Sequence, residues 1–208
     1  MRILPAAVAA IALLTPAHAA QLIGVVGEVW ESSTTLNNIT DARAAITGSP
    51  AAMFDVTNLD YPNTDADNVD ASNSTLADFL GVDGGSIVGT NLSELNNTVF
   101  RFSGSIRVDA FGDAWSVGSD DGFELVVDGG VIGANPGARS FGTTTGTIDL
   151  NPGVYTFELV YFERTGATGV ELKLNDEIAD NTAVPVPGAA VLMGGVLAAG
   201  AARRKRQS

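Results

Sequence analysis

Carboxylates are the only abundant side chains in this sequence that could do chemistry. There is no cysteine, and the single histidine, His18, sits in an N-terminal stretch with the marks of a leader. A body without His or Cys has no thiolate nucleophile, no Ser-His-Asp or Cys-His relay, and no zinc site of ordinary ligand type. Oxygen chemistry is what remains. The chain holds 24 acidic and 11 basic residues, and five of the basic ones (Arg2, Arg203, Arg204, Lys205 and Arg206) lie at its two ends. Between them 6 basic residues face 24 acidic ones, a net charge of about −18. Such a field repels phosphate backbones and anionic lipid, so nucleic acid is not an expected partner. It suits solubility outside the cell and the capture of divalent cations.

Within that acidity one point stands out, Ser119-Asp120-Asp121-Gly122. Glycoside hydrolysis needs two carboxylates about 5–10 Å apart across a cleft. Asp120 and Asp121 are sequence neighbours, and nothing marks a partner at that distance, so the chain reads as no enzyme. In an ordinary strand two adjacent side chains point to opposite faces. In a tight turn an aspartate commonly accepts backbone N–H bonds. Asp128-Gly129 reads as a hairpin turn.

The elements around these residues are mostly strands. Gln21 to Trp30 reads as an opening strand. Thr40 stands as N-cap before the helix formers Asp41 to Ile46, with Gly48 and Pro50 as stops. Residues 53–61 alternate loosely, residues 62–74 are rich in Asn, Asp, Ser and Thr and read as a loop, and residues 74–80 form a second helical turn. Beyond this the period-two signal is strong. Phe100, Phe102, Ile106 and Val108 share one parity, against Arg101, Ser103, Ser105 and Arg107. Phe123, Leu125 and Val127 repeat the pattern. Tyr155, Phe157, Leu159 and Tyr161 follow, against Thr156, Glu158 and Val160, and Val170, Leu172 and Leu174 close the set. Short strands, regular turns and few helices predict an all-β, antiparallel sandwich.

The two ends carry addresses. Residues 1–20 have a basic Arg2, an apolar run and the small-x-small triplet Ala17-His18-Ala19, which predicts a secretory signal peptide cut after Ala19 or Ala20. Residues 182–208 hold Val184-Pro185-Val186-Pro187, then 15 uncharged residues from Gly188 to Ala202, then the basic cluster 203–206. Fifteen residues reach about 22 Å as a helix, short of a hydrocarbon core of about 30 Å. The basic cluster predicts a cytoplasmic end. Proline motif, short transmembrane helix and basic cluster in this order resemble the PEP-CTERM class of sorting signals, in its VPxPA-type subgroup. Val184, Pro185 and Pro187 carry that match. The resemblance implies export by the general secretory pathway, temporary retention in the inner membrane, and an exosortase as processing partner.

The body, residues 21–181, resembles the protective-antigen-type sandwich, the PA-fourteen domain, of jelly-roll type. The stretches that carry the likeness are Phe100 to Val108, Trp115 to Gly129 with its Ser-Asp-Asp-Gly turn, Leu150 to Tyr155, and Phe157 to Glu163 ending Tyr-Phe-Glu. In lectin-like members the adjacent aspartates bind calcium across a cis peptide, and the ion holds sugar hydroxyls. The resemblance thus implies Asp120 and Asp121 as ligands of a calcium ion, and a polysaccharide as partner. Such members also supply an Asn from a late loop. The matching loop here, residues 163–169, has none, which leaves Asp113 and Asn135 as stand-ins. The functional expectation is an exported, non-catalytic adhesion module at the cell surface. The alternatives are a matrix protein without specific ligand, or an accessory module of a carbohydrate-active enzyme.

Overall fold

A computed structural model describes residues 22–63 and 66–182. The signal segment with Ala19 and Ala20, the proline motif with Val184, Pro185 and Pro187, and the short apolar helix lie outside them. Among the described residues no helix is long and apolar enough to cross a membrane.

The strongest alternation in the sequence builds the centre of the fold. Strand β6 (Thr98–Val108) pairs antiparallel with β1 (Leu22–Glu31) on one side and with β11 (Gly153–Glu163) on the other. With β2 (Ala52–Asp55), β5 (Val88–Gly89), β8 (Gly122–Val127) and β9 (Gly130–Asn135) they form one sheet, in the order β5-β2-β1-β6-β11-β8-β9. The second sheet has the order β10-β7-β12-β13, from β10 (Gly142–Ile148), β7 (Asp113–Asp120), β12 (Ala167–Leu174) and β13 (Glu177–Ile178). Two short strands, β3 (Asp60–Tyr61) and β4 (Val69–Asp70), add to β12. Strand β14 (Asn181–Thr182) lies parallel to the start of β1.

The faces that the period-two pattern marks apolar point inward and meet. Phe100, Phe102, Ile106 and Val108 of β6, Leu159 and Tyr161 of β11, and Phe123 and Leu125 of β8 pack on Trp115, Val117, Val170, Leu172 and Leu174. Each such fully buried side chain contributes about 1.5–3 kcal/mol through the water it no longer meets. Rings add shape: Tyr61 stacks on Phe102 at 5.8 Å and Phe100 lies 5.7 Å from Tyr161.

The outer face of the first sheet departs from the sequence pattern. Val160, read with the polar set, is fully buried beside Val99 and Phe162. The helix α1 (Ile39–Ala45) covers them with Ile39 and Ala42, and Leu36 joins from the preceding loop. Its N-cap is Asn38, not Thr40. The Asn38 Oδ1 accepts the N–H groups of Thr40 at 2.9 Å and Asp41 at 3.1 Å. Capping two residues earlier brings Ile39 into the helix and under cover. The second helix, α2 (Leu76–Leu80), forms where expected, with a reciprocal capping box between Thr75 and Asp78. Residues 53–61 split into β2 and β3, and the polar loop 62–74 contains β4. Asp128 and Gly129, both with positive φ, make the tight hairpin between β8 and β9.

The registers define two poles. Glu163 ends β11 opposite Thr98, while Leu22 at the other end of β1 pairs with both Ile106 and Asn181. Asp120, paired with Gly169, and Gly122, paired with Phe162, share the first pole with Glu163. The first and last described strands lie side by side at the second.

Candidate metal centre

Asp120 ends β7 in one sheet, and Asp121 leads into β8 in the other, so the pair forms the crossing between the layers. Their peptide bond is cis. Gly122 must be glycine, because a Cβ there would come within 2.5 Å of the Phe162 ring and 2.7 Å of two backbone oxygens. Gly169 is equally constrained: its Cβ would lie 2.1 Å from the carbonyl oxygen of Asp67. That absence of a side chain lets the 66–68 loop settle against the crossing.

Both aspartates are almost wholly buried and tied to backbone. Asp121 Oδ1 accepts the Arg139 N–H at 3.0 Å, and its Oδ2 accepts the Arg164 N–H at 2.8 Å. Asp120 Oδ2 accepts the Phe141 N–H at 3.1 Å and the Asn68 Nδ2–H at 3.3 Å. Ser119 donates to the Asp121 carbonyl at 2.7 Å and accepts from the Arg139 guanidinium at 2.8 Å. Underneath, the Tyr161 hydroxyl donates to the Asp120 carbonyl and meets Thr168 at 2.7 Å. The N–H capping that an aspartate turn permits is therefore present, and the two carboxyl groups converge as well.

They converge on a third. Glu163 is fully buried, and neither of its carboxyl oxygens has a hydrogen-bond partner among the described residues. One ligand oxygen from each of Asp120, Asp121 and Glu163 lies within 4.8 Å of the others. Burial, then the charges of Asp121 and Asp120, push the Glu163 carboxyl up to about 9, against the lowering pull of the neighbouring Tyr161 hydroxyl. Burial also raises Asp120, with the Asp121 charge adding to it. Burial raises Asp121 too, against the lowering pull of the Arg164 and Arg139 N–H groups. No cation bridges any of the three as an ion pair among the described residues.

These groups fit a hard divalent cation. Calcium takes oxygen ligands at about 2.3–2.6 Å, so two ligands of one ion stand at most about 5 Å apart. The cluster fits within that span. A buried carboxylate without a donor is costly unless a positive charge meets it. Of the two stand-ins for the missing late-loop Asn, Asp113 lies at the wrong end of β7, while Asn135 stays at the pole beside Gly122. Asp113 accepts the Asp109 and Ala110 N–H groups at the opposite pole, and Asn135 donates to the Gly137 carbonyl at 2.7 Å. The asparagine that does reach the pair is Asn68, from the polar loop before α2. Its loop carries no periodic signal. Glu163 had one, since continuing the parity of Tyr155, Phe157, Leu159 and Tyr161 sets residue 163 on the inner face.

No family model and no curated protein matches the chain. Its fold matches solved structures. The PA14 domain of the antifreeze protein MpAFP aligns at a TM-score of 0.64 and 21% identity, over 84% of this chain and 98% of that one. A PA14 sugar-binding domain from an RTX adhesin aligns at 0.65 and 23%, over 77% and 99%. At these identities the likeness establishes the architecture, a PA14-type β-sandwich.

Proposed function

We propose that the chain is a non-catalytic binding module of the cell surface, and that it takes carbohydrate through a calcium ion held by Asp120 and Asp121. The convergence of their buried carboxyl groups at one pole of the sandwich carries this reading. The likeness to a sugar-binding domain of an adhesin, similar over nearly all of that domain, supports the ligand class. Bound calcium would supply positive charge and open coordination positions for neutral hydroxyl oxygens, which suit vicinal diols of a polysaccharide. This chain's part is to hold the two carboxylates rigid, through the N–H groups of Arg139, Phe141 and Arg164. A glycan array, run with calcium and then with EDTA, is the test. Calcium-dependent signals support the reading. A blank array, together with a calcium-induced rise in melting temperature, would favour a matrix protein that uses the ion for stability alone.

Export and sorting belong to the same proposal. The signal before Gln21 and the tail with Val184, Pro185 and Pro187 support passage through the general secretory pathway, retention in the inner membrane and processing by an exosortase. Mass spectrometry of the exported protein checks it: loss of the 203–206 basic cluster is expected, and an intact cluster on mature protein would refute processing.

A further inference from the structure

We propose a second binding site, a hydroxyl-lined cavity between the end of β1 and α1 that takes further residues of a neutral glycan chain. It rests on the carbohydrate reading for its ligand class, and not on the ion. The cavity has a volume of about 450 Å³, within the range of about 300–1,000 Å³ usual for ligand sites. Its walls are Glu31 and the 32–37 loop on one side, and Asp41, Ala44 and Thr47 on the other. The loop is fixed by its own side chains. Ser32 Oγ donates to the Thr34 carbonyl at 2.8 Å and accepts the Thr34 N–H at 3.2 Å. Asp41 Oδ2 accepts the Asn37 N–H at 3.0 Å, and Asn37 Nδ2 donates to the Thr35 carbonyl at 3.2 Å. Those groups hold the loop in shape, which leaves the Glu31 carboxylate and the hydroxyls of Ser33, Thr35 and Thr47 to meet a ligand. Among the described residues two carboxylates line the cavity and no lysine or arginine does, a charge that turns anions away. Acceptors and hydroxyls beside the methyl of Ala44 match a pyranose, which offers O–H donors and apolar C–H faces.

Position ties the cavity to the metal centre. Glu31 pairs with Thr98, and Thr98 with Glu163, so its lip stands two strand spacings, about 10 Å, from the end of β11. Asn97 sets the two in one frame. Its carbonyl accepts the Ser32 N–H at 2.8 Å, its Oδ1 accepts the Leu36 N–H at 3.2 Å, and its own N–H donates to the Arg164 carbonyl at 3.0 Å. The Arg164 N–H in turn caps Asp121. A polysaccharide seated at the aspartate crossing thus has a second, rigidly placed hold for the next part of its chain.

The probes are maltose, cellobiose and laminaribiose and the tetrasaccharides of the same three series, titrated into the isotope-labelled full chain and read by amide NMR, in calcium and in EDTA. In EDTA at least one tetrasaccharide should shift the amides of residues 32–35 and 44–47. In calcium that tetrasaccharide should bind about tenfold or more tighter than its disaccharide, because the second contact of a linked pair forms within one complex. Ala44→Trp, at an exposed helix position, fills the cavity. It should abolish those shifts and the tetrasaccharide gain, and leave the disaccharide affinity in calcium unchanged. Should Ala44→Trp fail to fold, Ser33→Trp fills the cavity from the opposite wall and gives the same readouts. Absence of shifts at 32–35 and 44–47 with every probe would overturn the cavity, and calcium-dependent binding of a disaccharide would still uphold the ion reading. Shifts there in a chain whose binding never responds to calcium would sink the ion reading and keep the cavity.

Discussion

Two buried acids in this molecule sit in opposite circumstances. Asp83, in the 3₁₀ turn after α2, accepts from the Thr57 N–H at 3.0 Å and the Tyr61 hydroxyl at 2.7 Å. Glu163, at the pole of β11, has only the Tyr161 hydroxyl near it, and that hydroxyl is spent on the Asp120 carbonyl. The first is a structural knot whose charge the protein answers itself. The second is an acid that burial and its acidic neighbours hold in the protonated, neutral form. Burial alone therefore does not mark a functional acid here. Burial without a donor, beside two like-charged neighbours, does.

The largest test of this contrast removes Asp83. Asp83→Ala should cost about 3–5 kcal/mol, since it orphans the buried Tyr61 hydroxyl and a backbone N–H. By calorimetry the melting temperature should fall by about 6–20 °C, equally in calcium and in EDTA. A calcium response lost with Asp83 would break the comparison. Next in size is calcium itself. At about 100 times its dissociation constant it should stabilise the wild-type chain by about 2.7 kcal/mol, a rise of about 5–10 °C. Asp120→Ala should abolish the rise, and an unchanged melt of wild-type protein in excess calcium would sink the ion reading. The smallest effect concerns the outer face, where Arg43 of α1 bridges Glu124 and Glu158. Arg43→Met should cost about 0.5–1 kcal/mol, because the arginine and its partners stay in part open to solvent. That loss should shrink when the melts are repeated in 1 M salt, where screening acts within about 3 Å. A salt-independent loss would mean that the arginine stem acts by packing over the sheet.

The sandwich was legible because strands buried on one side write their faces into the sequence. Phe100, Phe102 and Leu125 lie where parity puts them. The aspartate pair was singled out for a different reason, its place in the pattern that resembles the PA-fourteen domain. What the sequence hid were relations between elements. Nothing in Val160 announces a helix above it, and nothing in residues 62–74 shows that Asn68 reaches Asp120 across 52 positions. Thr40 and Asn38 are both good caps, and burial of Ile39 decided between them. Glu163 fell between the two kinds of signal. Its parity pointed inward, but a charged residue continuing an apolar face is no part of a period-two pattern.

The parallel pairing of β14 with the start of β1 sets a direction for the whole molecule. Asn181 is clasped there by the Val25 N–H at 3.1 Å and by donating to the carbonyls of Val25 and Val56 at 2.9 and 2.6 Å. Along β1 that clasp at Val25 stands about 20 Å from the end of the strand at Glu31, at about 3.3 Å per residue. Thr182, the last described residue, lies at the end facing away from the carboxylates. The acidic pole and the Asn181 clasp thus belong to opposite ends of the sandwich, so a change at one leaves the hydrogen bonds of the other in place.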